Sequence, residues 1–275
     1  MPLRRDLPHI DVTHERTSGR VYLHGATVTD WRPKGHAPVL YTSPQAVFDG
    51  QKAIRGGVPI CLPWFGPHPT DPSAPAHGLA RTATWEKMSE AKNSDGATVK
   101  LGLRLPGLDL RYRIHFGREL ELSLRVTADA AAHQPQRVEV ALHTYLAVSD
   151  AQAVTLSGLE HTPYLNSLLD DPRCDAANEP IRFTGETDRV YPNTSDDVVL
   201  HDPGLERRIT VSKRGGRSTV VWNPWIAKAA RLADFGDDQW QRMCCIESAA
   251  VGDDAWEIDP GESRTLSVTL RVAAE

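Results

Sequence analysis

Two polar residues interrupt runs that are otherwise apolar. His143 stands inside "EVALHTYLAVSD", and Glu247 inside "RMCCIESAAV". An imidazole is the side chain whose ordinary pKa lets it give or take a proton near neutrality. A carboxylate among apolar neighbours loses solvation, which raises its pKa toward the range useful for a general base. Taken singly, such residues are more often satisfied core or edge groups than catalysts. A third feature is "IRGGVPICLPWFGPHP", residues 54–69. Pro59, Pro63, Pro67 and Pro69 forbid a helix there. Gly56 and Gly57 permit backbone angles closed to other residues, or a close approach to a ligand, and Arg55 before them carries a planar fork of five donors. An anion or polyol site is one reading of this segment; a proline-rich surface connection with an incidental arginine is the other. His68 and His77 flank it without metal-ligand spacing. Asp188 in "TGETDRVY" reads as a turn residue or as a hydroxyl acceptor. Trp222 and Trp225 in "VVWNPW" read as core aromatics or as a sugar-stacking platform.

The elements that would hold these residues are mostly strands. Period-two alternation runs through residues 20–31, 98–105, 110–116, 118–128, 137–148, 207–213 and 264–274, the pattern of half-buried strands. Gly117 separates two of these runs at hairpin spacing, so neighbouring strands are expected to be antiparallel. One helix is expected, over 225–235, where Ile226, Ala229, Ala230 and Ala233 recur at helical spacing behind Pro224. Residues 170–180, "DDPRCDAANEP", read as a long polar surface loop. With no repeat and no linker-like boundary, residues 1–275 read as one all-β domain, a large antiparallel β-sandwich with few short helices.

Composition narrows the function. A net charge of −5 with interspersed signs offers no basic face for nucleic acid. No apolar run approaches the length of a membrane span. "MPLRRDLPHI" lacks a secretory apolar region, and Cys61, Cys174, Cys244 and Cys245 form no CxxC pair, which together imply a reduced, cytoplasmic protein. GxGxxG after a strand, GxxxxGK[ST] and GxSxG do not occur, arguing against dinucleotide, P-loop and α/β-hydrolase chemistry.

The blocks "GATVTDW", "AIRGGVPICLPWFGPH", "AHGLARTATW", "ALHTYLAVSD", "SGLEHTPYLN", "TGETDRVYPNT", "VVWNPW" and "CCIESAAV" resemble, in order, those of the hexose-6-phosphate mutarotases, or glucose-6-phosphate 1-epimerases, of the galactose mutarotase-like superfamily. The resemblance spans residues 20–272. It implies a β-sandwich with its sugar site on one broad face. It also implies that His143 is the catalytic histidine, Glu247 the catalytic glutamate, Arg55 and Arg81 substrate-site arginines with His77 beside them, and Asp188 a sugar-hydroxyl contact. Ser248 departs from the proline or asparagine common after the family's glutamate. The activity implied is exchange of α and β anomers of a hexose 6-phosphate, with no cofactor and no metal, the partner being a small sugar or sugar phosphate; a monomer is one reading of the chain's assembly, which the sequence leaves open. Two other readings stay open at this stage. One is a mutarotase of plain sugars. The other is a non-catalytic carbohydrate-binding sandwich using Trp64, Trp222 and Trp225.

Overall fold

A computed structural model describes residues 7–275, so residues 1–6 of the amino-terminal stretch read above lie outside the described residues. Two eight-stranded sheets dominate, and every strand pairing is antiparallel. In one sheet the strands Leu108–Phe116 and Leu120–Ala128 bury every second residue, the alternation read in the sequence. They pair across the Gly117 turn with Phe116 opposite Leu120. Their inward residues, among them Leu110, Tyr112, Ile114, Leu122 and Leu124, share one core with Leu142, Leu146, Val221, Cys244, Ile246 and Ala250 of the second sheet. That shared core makes the pair of sheets a sandwich.

Three expectations change in detail. Residues 20–31 are not one strand but the strands Thr17–Tyr22 and Val28–Pro33, paired antiparallel. Gly25 and Ala26, both at positive φ, make the turn between them, and the Tyr22 N–H donates to the Thr27 carbonyl at 3.0 Å. Residues 137–148 are divided among Gln136–Val138, Val140–Leu142 and Tyr145–Ala147. The helix covers only Trp225–Ala229. Beyond it Arg231, Leu232 and Phe235 donate to carbonyls three residues back, and fully buried Phe235 packs near Tyr41 at 6.0 Å. Anchoring that phenylalanine inward ends the regular helix. The polar stretch 170–180 is mostly exposed, as expected, and includes the two-residue strand Arg173–Cys174.

The proline-rich segment runs beside the second sheet as an irregular edge. Ile60 and Cys61 pair with Leu142 and Ala141. Upstream, the His143 and Tyr145 N–H groups donate to the carbonyls of Pro59 and Gly57, each at 2.9 Å. The two glycines serve backbone packing here and not approach to a ligand. Gly57 has φ +67°, and a Cβ on it would fall inside contact distance of the Val28 carbonyl. Gly57→Ala should therefore destabilise the fold by about 1–3 kcal/mol from the backbone conformation alone, with the clash adding to it. Urea unfolding checks this; an unchanged midpoint would contradict the packing described.

Candidate active site

Register decides which side chains meet. Leu142 faces Ser248 and Tyr145 faces Cys245, which carries His143 directly opposite Glu247. Glu247 in turn faces Val220 on the next strand, while Trp222 lies between Cys245 and Asp188. Because side chains alternate along each strand, His143, Tyr145, Cys245, Glu247, Val220, Trp222 and Asp188 stand on one face. Cys244, Ile246 and Ala250 point the other way into the shared core. The sheet thus places an imidazole and a carboxyl as cross-strand neighbours, the closest pairing a sheet offers.

The pair itself is tight and dry. His143 Nε2 lies 3.4 Å from Glu247 Oε1, with the glutamate side chain 1% and the histidine side chain 10% exposed. The imidazole stacks on the Tyr145 ring at 4.7 Å and 10°, and the Trp222 ring meets it edge-on at 5.9 Å. Glu247 Oε2 and His143 Nδ1 are buried with no hydrogen-bond partner among the described residues. A buried carboxyl oxygen left unpaired is costly unless a ligand hydroxyl meets it. Burial pushes the Glu247 carboxyl well above the ordinary carboxylate range; the nearby Asp188 charge adds to this and Arg81 opposes it. Burial likewise pulls His143 well below the ordinary imidazole value, helped by His77, Arg81 and Arg55. Each group resists being the lone charge, so the two titrate as a unit that holds one exchangeable proton between them.

A cavity of about 600 Å³ opens over the pair. Arg55, His77, Arg81, His143, Asp188 and Glu247, the six residues singled out in the sequence, all line it. Arg55 is not the incidental arginine of a surface connection. Its side chain is 25% exposed and is tied down, Nε donating to Asp234 Oδ1 at 3.2 Å and Nη1 to the Tyr145 hydroxyl at 3.3 Å. Burial works against its charge, but Tyr145 and Asp234 outweigh it and hold the guanidinium firmly protonated. Arg55 and Arg81 also border a second cavity of about 280 Å³ together with Lys52 and Tyr145. Arg81 spends Nη2 on the Ala76 carbonyl at 2.8 Å. His77 sits at φ +61° with Phe65 edge-on at 4.8 Å and His143 at 6.1 Å. Its Nδ1 accepts from the Gly66 N–H at 3.3 Å, which leaves the ring proton on Nε2. Burial, with Arg81 next, lowers its pKa to about 3.

A family model described as aldose 1-epimerase matches residues 8–271, nearly the whole chain. The chain belongs to the aldose 1-epimerase family. Membership makes it an isomerase on a galactose mutarotase-like fold. A "Putative glucose-6-phosphate 1-epimerase" of Cenchrus ciliaris is 35% identical over 258 residues, covering 88% of this chain and 77% of the relative. One of the same name from Escherichia coli (strain K12) is 31% identical over 283 residues, with 98% and 93% covered. The crystal structure of a "putative mutarotase" from Salmonella typhimurium superposes with a TM-score of 0.90 at 29% identity, covering 97% of this chain and 90% of that one.

The cavity also contains residues that sequence reasoning missed. Tyr145 stands two positions from His143 on the same face, a relation that strand alternation could have exposed. Glu139 accepts from the N–H groups of Phe65 at 2.9 Å and Gly252 at 3.0 Å, joining two loops at the cavity edge. Lys228 reaches the cavity wall from the helix. Of the three tryptophans weighed as stacking platforms, Trp222 lines the cavity; Trp225 packs on Trp240 at 4.2 Å, and Trp64 lies against His68 at 4.5 Å. Among the described residues, no group of three or more His, Cys, Asp or Glu is placed to hold a metal ion, and no helix is long and apolar enough to cross a membrane.

Proposed function

We propose that this epimerase interconverts the α and β anomers of a hexose 6-phosphate, with glucose 6-phosphate its first substrate, and that His143 and Glu247 do the proton work. The observation that carries this reading is the 3.4 Å approach of the two side chains on the floor of a cavity walled by Arg55 and Arg81. Mutarotation needs one base and one acid. Glu247 removes the proton of the C1 hydroxyl, His143 protonates the ring oxygen, and the C1–O5 bond breaks to give the open-chain aldehyde. The C1–C2 bond rotates, and closure on the other face of the carbonyl runs the same transfers backwards. The pair starts and ends with one proton, so no net proton enters or leaves. Burial favours the uncharged arrangement of the pair in the free protein. A hydroxyl donating to Glu247, with Arg81 close by, favours the carboxylate–imidazolium arrangement that the first step uses.

Asp188 on the same face serves in this reading as acceptor for a sugar hydroxyl, with the neutral His77 Nε2–H a donor. The relatives named for glucose 6-phosphate and the two cavity arginines support the phosphate. A phosphate carries nearly two negative charges and takes charge-assisted bonds from a guanidinium fork. All the groups named come from one chain, which we read as a single domain acting as a monomer. Its four free thiols support a cytoplasmic setting.

The arginines provide the test of the phosphate. Arg55→Ala or Arg81→Ala should lower kcat/KM for glucose 6-phosphate by on the order of ten- to a hundredfold, the loss expected for a hydrogen bond to a charged group. Any turnover of free glucose should fall much less. Polarimetric assays of both sugars, run with thermal melts, separate this from a scaffolding role: equal losses on both sugars with a lowered Tm would show that the arginines only pin the loop to the sheet.

A further inference from the structure

The cation on the opposite wall of the cavity is Lys228. It sits in the last turn of Trp225–Ala229, a helix whose start is fixed from below. Asn223 Oδ1 accepts from the Trp225 N–H at 2.8 Å, while its Nδ2 donates to the Trp240 and Met243 carbonyls, both at 2.8 Å. This short helix delivers the ammonium to a defined place. Lys228 Nζ lies 3.2 Å from Glu186 Oε1, 3.9 Å from Asp188 Oδ2 and 5.9 Å from the centre of the Trp222 ring. The lysine is about one-third exposed and lines the same cavity as Glu247.

Resting on the reaction proposed above, we propose that Lys228 is a positioning residue for anomer exchange, its ammonium fixing Asp188 as a hydroxyl acceptor and cancelling the Asp188 charge that faces Glu247. Asp188 and Glu247 share this face two strands apart, Asp188 in the register row of Trp222 and Cys245 and Glu247 in that of Val220. Left to themselves they oppose each other's ionisation, and the catalytic base would be the loser because it is the more deeply buried. Burial raises the Asp188 carboxyl, Lys228 is the principal group pulling it back down, Ser167 assists, and Glu186 opposes. The other charged or titratable groups at this face are Arg55, Arg81 and His77 from the proline-rich side, Glu139, His143 and Tyr145 from the segment that pairs with the Glu247 strand, and Cys245 on the Glu247 strand itself. Lys228 is thus the cation paired with Asp188, while the cavity's Arg55 is paired with Asp234, which borders the smaller neighbouring cavity.

The test uses the full chain as Lys228→Met and Lys228→Arg, each also in an Asp188→Asn background. Removing an opposite charge at about 4 Å raises a carboxyl pKa by one unit or more, so two readouts follow. In ¹³C NMR of the free protein, the Asp188 carboxyl midpoint should rise by about one pH unit in Lys228→Met and return toward wild type in Lys228→Arg. In the kcat/KM profile for glucose 6-phosphate, the acid limb should move up by a similar amount. Loss would be about tenfold on the acid side and small on the plateau, and the shift should vanish in the Asp188→Asn background. An unmoved Asp188 midpoint would overturn the proposal. So would a uniform rise in KM at every pH, or a shift that persists without Asp188. A wild-type protein inactive on sugars would sink the proposed reaction, and with it the role in exchange, while the NMR titration still decided whether Lys228 and Asp188 are coupled.

Discussion

In a Glu247→Gln protein, anomer exchange is expected to fall by about 10²- to 10⁴-fold, the range lost when a positioned proton acceptor is removed. The amide keeps the volume of the carboxyl and can still receive a sugar hydroxyl at one oxygen, so the substrate should bind. It cannot take the C1 proton. The fold should stand, because replacing a carboxyl that burial already holds toward its neutral form removes no ion pair that the sandwich depends on. The main core lies on the other face of the strand, through Cys244, Ile246 and Ala250. Circular dichroism and a thermal melt should match wild type while polarimetric relaxation of α-glucose 6-phosphate slows toward the buffer rate. A Glu247→Gln protein with full activity would remove Glu247 from the role of base.

His143→Asn should cost a comparable factor, because asparagine can hydrogen-bond to a ring oxygen but cannot protonate it. His77 is the nearest other imidazole, with ring centres 6.1 Å apart, and it cannot take over. Its Nδ1 is engaged by the Gly66 N–H and its pKa near 3 keeps it neutral in the working range. Since the two residues act as one proton-holding unit, the Glu247→Gln, His143→Asn double variant should be little slower than either single one. Losses that instead multiplied would mean that the two side chains serve separate steps. The same coupling predicts a broad pH plateau. The singly protonated pair persists from His143's lowered pKa up to Glu247's raised one, so within that range the pair itself imposes no limb, and an acid-side fall there comes from Asp188 losing its charge. A profile that bent near the ordinary imidazole value would contradict a desolvated His143.

The strands and the hairpin at Gly117 were legible because alternation of side chains is a property of the chain itself, and one face of each strand had to be buried. Their partners were not. That His143 falls opposite Glu247 depends on a register between segments about a hundred residues apart, and nothing in either segment alone sets it. His143, Glu247, Arg55, His77, Arg81 and Asp188 were therefore found as residue types and by resemblance, and the fold brings them to one cavity. The helix was overextended because alanines at helical spacing say nothing of Phe235, whose burial redirects the chain. Lys228 escaped notice for a related reason. A lysine in a short helical run reads as a solvated face, and only the tertiary position of that helix over Trp222 and Asp188 turns it toward the site. The Arg55 segment stayed open between a ligand site and a surface connection because loop composition carries no information about Asp234 and Tyr145, which hold the arginine.

Catalysis of ring opening and closure of a hexose 6-phosphate in this cavity can be observed without any variant. Exchange NMR at anomeric equilibrium measures it most directly, by magnetisation transfer between the α and β C1 protons of glucose 6-phosphate with catalytic amounts of protein, and of glucose and galactose in parallel. The expected result is α–β transfer for glucose 6-phosphate that scales with protein concentration, is much weaker for the two plain sugars, and disappears in Glu247→Gln. Transfer no faster than in buffer, with the sugar phosphate nonetheless bound, would contradict it and leave a carbohydrate-binding sandwich in its place.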